Sequence, residues 1–163
     1  MDEIIEQLLQ VCSREIDAFN QLLQTLHQKQ RAIVEGEIER LKQHVSQENE
    51  IIARTRELEA DRLAVTRELA RRLSLENLNP RLSEIVEQVE EKYAQRLREQ
   101  RNLLRSIVEK IQTLNQSNQF LLSYSLQFID NSLKMLLQSE GPVYEENGKV
   151  RDEPSAKIVD HRV

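Results

Sequence analysis

The side chains able to do chemistry in this 163-residue chain are few: Cys12, the histidines His27, His44 and His161, and scattered Gly36, Gly141 and Gly148. A metal centre on helices needs His and carboxylate ligands three or four residues apart, because only those spacings aim two side chains from one helix at one ion. Neither His27 nor His44 has a Glu three residues before it, so the pattern predicts solvated histidines and no metal. The glycines do not cluster as a phosphate-cradling loop requires, and no serine sits in a nucleophile-elbow context. Cys12 occupies an apolar seam with His27 about four turns further on, which predicts a packed thiol rather than a nucleophile. Neither a cofactor nor catalysis is expected.

Charge narrows the partners. The most basic run is Lys92, Arg96, Arg98, Arg101 and Arg105, countered within it by Glu99. No aromatic interleaves Arg96 to Arg105, so the run reads as the solvated face of a helix, with nucleic acid or an acidic partner as the other possibilities. The formal net charge of −5 repels polyphosphate on average, and no nucleic-acid partner is expected. A lone cysteine forms no internal disulfide, and Met1-Asp2-Glu3 begins with acid where a signal peptide would carry positive charge. Both point to the cytoplasm.

The elements that must position any site are helical. With 31% charged residues, 4% aromatic, no Trp and only three Gly, long helices fit far better than strands. The apolar positions Ile5, Leu8, Cys12, Phe19, Leu22, Leu26 and Ile33 recur at helical spacing, interrupted by Glu15 and Lys29, and predict a first helix over 2–34. Beyond Gly36 the pattern continues through Ile38, Leu41, Val45, Ile52, Leu58, Val65, Leu69 and Leu73. That predicts a second helix over 37–73, unless Gly36 lies inside one longer helix. Asn79 suits a cap and Pro80 a first helical position, so the chain turns at 74–80 and a third helix runs over 81–138. Unbroken, it measures on the order of 85 Å and outreaches its partners, so a kink, an extra break or a dimer contact is expected. From 139 to 163 Gly141, Pro142, Gly148 and Pro154 appear among charges, the composition of a mobile tail. The expected fold is all-α: an elongated antiparallel bundle of three long helices, or four with a further break. Packing is coiled-coil-like over a bundle domain of 1–138.

The third helix carries the most unusual segment. Ile111 to Ile129 holds no charge over nineteen residues, where the chain's average would supply about six. Ten of the nineteen are polar, too many for a bilayer-spanning helix, so no membrane insertion is expected. Projected at 100° per residue, the apolar side chains from Phe120 to Leu137 spread over about 260°, whereas a helix buried on one side needs little more than about 100°. A surplus of that size lies inside the bundle or a homodimer, or waits for a partner's amphipathic helix. Asn118, Ser125 and Ser132 fall seven apart, in line with Ile111 and Leu104. Such a row of small or polar groups fixes register or lets another helix approach.

The run Asn115-Gln116-Ser117-Asn118-Gln119-Phe120-Leu121-Leu122-Ser123-Tyr124-Ser125-Leu126 resembles the N-x-x-N-x-x-L-L-x-x-S-L signature of the FlgN-type chaperones of flagellar type III export. Ala32-Ile33-Val34-Glu35-Gly36-Glu37 is similar to that family's first helical junction, Leu58-Glu59 with Arg62 is a weaker likeness, and Tyr144 followed by Gly148 resembles an element after its last helix. The spacing of that last pair is wider than the family's usual one. The resemblance covers roughly Ile5 to Gly148. It implies a chaperone that binds hook-associated proteins in the cytoplasm, keeps their aggregation-prone C-terminal helices soluble and delivers them to the membrane export gate. It implies no cofactor.

On this reading Leu121, Leu122, Leu126, Phe128, Ile129 and Leu133 would make apolar contact with the client. Asn115, Asn118 and Ser125 would complete the client-binding face, the asparagines orienting the client backbone or setting the bundle's register. Tyr144 would contact the export machinery. The protein would be a monomer or a homodimer. The alternative is a structural coiled-coil or scaffold protein that self-associates through its third helix.

Overall fold

The computed structural model describes residues 1–139. Four helices form there, α1 Asp2–Glu35, α2 Ile38–Arg72, α3 Leu82–Val86 and α4 Glu91–Ser139, with no strand among the described residues. The chain falls into two compact units, Met1–Leu122 and Ser123–Val163. Apart from Ser139 itself, the expected tail lies outside the described residues.

Gly36 ends α1 at φ 70°, a left-handed conformation that a residue without Cβ adopts at no steric cost. Its N–H donates to the Ile33 carbonyl, and the Glu37 N–H donates to that of Ala32. These are the two bonds of a Schellman stop. The chain therefore makes two helices, not one running through Gly36. The same stop recurs after α2 without a glycine: Ser74 donates to Arg71, Leu75 donates to Ala70, and Ser74 itself sits at φ 54°.

Charges that interrupt the apolar seams fix how α1 and α2 pair. Glu15 bonds Arg62 at 2.8 Å, and Lys29 bonds Glu48 at 2.6 Å. In both pairs the residue numbers sum to 77, the signature of an antiparallel register. The same sum matches Leu8 with Leu69 and Cys12 with Val65, all four in one core cluster. α4 instead runs parallel to α1. Arg96 binds Glu6, the Gln100 amide donates to the Leu9 carbonyl, and the Asn118 amide donates to that of Leu26, at sequence separations of 90, 91 and 92.

Two apolar clusters fill this three-helix arrangement. The larger joins Ile4, Ile5, Leu8 and Cys12 of α1 to Val65 and Leu69 of α2, Ile85 and Val86 of α3, and Tyr93, Ala94 and Leu97 of α4. The smaller joins Leu22, Leu26 and Leu114, with Phe19, Leu23, Ile51, Ile52 and Ile111 packed against them. Burying each large aliphatic side chain contributes about 1.5–3 kcal/mol. The acidic start of the chain takes part too: Asp2 and Glu3 stand in the first turn of α1, where negative charge complements the helix dipole.

The third helix does not begin at 81. The chain forms the one-turn α3 and then breaks over 87–90, and α4 starts at Glu91. No Pro or Gly marks this break. Ile85 and Val86 are buried in the larger cluster, and in an unbroken helix Glu87 and Glu91 would repel at four-residue spacing. The break moves Glu91 into the favourable first turn of α4. Asn79 does not cap: its Oδ1 accepts from Arg67. Instead Arg81 precedes α3, and its N–H donates to the Glu84 carboxylate.

Candidate functional site

With no Pro or Gly from Glu91 to Ser139, α4 continues through the charge-free segment. Local side-chain bonds accompany it: Thr113 donates to the Glu109 carbonyl, Ser132 to that of Phe128, and Lys134 pairs with Asp130 at 2.6 Å. Along this helix the environment changes sharply. Leu114 and Asn118 are buried, and Asn118 is the last buried residue among those described. Beyond it, apolar side chains face solvent: Phe120 is 70% exposed, Leu122 38% and Phe128 65%, and Tyr124, Leu126, Ile129, Leu133, Met135 and Leu137 are all exposed.

The residues expected to meet a client therefore divide. Leu122, Leu126, Phe128, Ile129 and Leu133 are exposed, and Leu121 and Ser125 are half-buried. Asn118 lies between α4 and α1, its Nδ2 donating at 3.0 Å to the Leu26 carbonyl while its Oδ1 is buried without a partner. Beside it in sequence, Ser117 accepts from Gln30 at 3.0 Å. Asn118 is thus committed to the α1–α4 register, with half-buried Asn115 on the turn before it. Tyr144 lies outside the described residues.

Elsewhere the chain spends its reactive groups on structure. Cys12 is buried, and its pKa is pushed up to about 11, first by burial and then by the neighbouring Glu15 carboxylate, so the thiol keeps its proton at neutral pH. His44 bonds Gln47, His27 is exposed on α1, and His161 lies outside the described residues. No three His, Cys, Asp or Glu converge among the described residues. The basic run is largely spent on ion pairs. Lys92 reaches Asp2 and Glu90, Arg96 reaches Glu6, Arg98 holds Glu91 and Arg105 holds Glu109. The sequence alone reads Glu15 and Lys29 as interruptions of the α1 seam. The signal of pairing was that α2 offers a charge of opposite sign to each, Arg62 for Glu15 and Glu48 for Lys29, at matching antiparallel positions.

Glu15 lies between the two apolar clusters, almost wholly buried. Burial raises its carboxyl above the ordinary range, opposed by the charge and hydrogen bond of Arg62. No helix among the described residues is long and apolar enough to cross a membrane.

A contiguous exposed apolar face is the kind of surface that marks interaction sites. Residues 1–152 match the model of a family described as FlgN protein. The chain belongs to the FlgN family. Comparisons with curated proteins and with solved structures give no match. FlgN proteins are chaperones of flagellar export, and the match spans the helical bundle together with the whole exposed face of α4.

Proposed function

We propose that this FlgN family member grips its export substrate with the exposed apolar face of α4 between Phe120 and Leu137. The clients are hook-associated proteins that join hook to filament, held in the cytoplasm by their aggregation-prone C-terminal helices and delivered to the export gate. One observation carries the reading: a run of exposed aromatic and aliphatic side chains, free of charge up to Ile129, in a chain whose family chaperones flagellar export. An amphipathic client helix laid on this face would remove apolar surface from water on both partners at once. Leu121, Leu122, Leu126, Phe128, Ile129 and Leu133 supply the contact. Asn115 and Ser125 flank it, Asn118 holds the helix beneath it to α1, and Tyr144 contacts the export machinery.

The test is substitution on the exposed face. Leu122→Asp and Phe128→Asp should each weaken binding of a hook-associated C-terminal helix by roughly tenfold or more, with helicity and melting temperature near those of the parent. Retained binding, or unfolding of both variants, would overturn the proposal. So would a mass measurement revealing an obligate dimer that buries Leu126 to Leu133, which would favour a self-associating scaffold.

A further inference from the structure

A cleft of about 660 Å³ opens between α1, α3 and α4, with the Glu15–Arg62 pair among its lining residues. Half-buried Phe19, Leu82, Leu104 and Val108 give it apolar walls from three helices. Four arginines line it, in two different states. Arg62 is tied to Glu15 and Arg105 to Glu109, whereas the guanidinium groups of exposed Arg81 and Arg101 make no ion pair among the described residues. An uncommitted guanidinium keeps a planar fork of donors matched to a carboxylate. Arg101 is also the one arginine of the basic run that makes no ion pair among the described residues.

We infer that this cleft is a second docking site, which takes an acidic amphipathic helix of a partner protein. An apolar side chain of that helix rests on Phe19, Leu104 and Val108, and its carboxylates meet Arg81 and Arg101. Charge complementarity selects this occupant. Glu59 and Glu109 also line the cleft and repel a continuous polyphosphate, while isolated carboxylates can approach the two free arginines and leave the apolar walls covered. The site shares no lining residue with the client face, and it recognises charge where the client face has almost none.

A full-length protein with labelled methyl groups, titrated with a helical peptide of roughly 15 residues bearing Leu on one side and Glu beside it, tests the inference. The expected result is binding that shifts the methyl signals of Leu82, Leu104 and Val108. The Arg81→Gln, Arg101→Gln double variant should weaken that binding at least about tenfold with helicity unchanged. The same peptide with Lys for Glu, and a short DNA duplex, should not compete. No binding, equal binding of the Glu and Lys peptides, displacement by the duplex, insensitivity to the double variant, or shifts confined to Leu126, Ile129 and Leu133 would each overturn it.

Discussion

Glu15 and Arg62 show how one residue's partner decides its effect. Each is costly to bury alone, and together they recover part of that cost through their 2.8 Å contact. Arg62→Met should therefore destabilise the protein by about 3 kcal/mol near neutral pH, because it strands the Glu15 carboxylate. The pH dependence follows from sign. The folded pKa of Glu15 is raised, so its contribution is fully present below its unfolded pKa and is lost as pH rises through the folded value. Removing Arg62 removes a lowering influence and raises that pKa further. The deficit of Arg62→Met relative to the parent should shrink as pH falls from about 7 toward 5, while Glu15→Gln should lose less at neutral pH, because the partly exposed Arg62 guanidinium still has Glu59 at 3.8 Å. Urea unfolding of the three proteins at both pH values measures this. A deficit that grows on acidification would contradict it.

At the scale of elements, the two Schellman stops differ in their left-handed residue. Gly36 pays no steric cost, but Ser74 holds φ 54° with a Cβ, a strain of order 1 kcal/mol. Ser74→Gly should raise the melting temperature by about 2–4 °C, although the looser unfolded chain offsets part of the gain. A lowered melting temperature would show that the serine contributes something the backbone geometry does not reveal. These stops also explain what was legible in the sequence. The face periodicity of α1 and α2 and the glycine that separates them are local signals, readable from residue types alone. That a further break was due was legible from the length of the third helix, but its place at 87–90 was not, because Ile85, Val86, Val89 and Tyr93 keep helical spacing across it and burial of Ile85 and Val86 in the shared core decides the matter. The candidate face was half legible: absence of charge located it, but only packing against Leu26 separates Asn118 from the exposed residues that follow.

Across the whole molecule, the proposed function puts holding a client and passing it on in different stretches of chain, which a truncation can separate. Deleting residues 140–163 should leave client affinity within about twofold of the parent, since every proposed client contact precedes that segment, yet it should reduce secretion of the client. Pull-down of the client beside a secretion assay reads both. Unimpaired secretion would remove the role proposed for Tyr144, and lost affinity would place part of the grip beyond Ser139. The bundle's own cohesion is specific, because a seven-residue slip of α1 along α2 would set Glu15 against Leu69 or Thr55 rather than Arg62 and bury it unpaired. The apolar face of α4, charge-free up to Ile129 and with only the paired Asp130 and Lys134 beyond, has no comparable means of rejecting a misaligned or mistaken occupant. Apolar contact is non-directional, and discrimination needs an element that repels the wrong partner. A surface made this way tolerates several related amphipathic helices and several alignments of each. On the proposed function it would grip by a shared physical property, leaving the choice among clients to some feature other than charge.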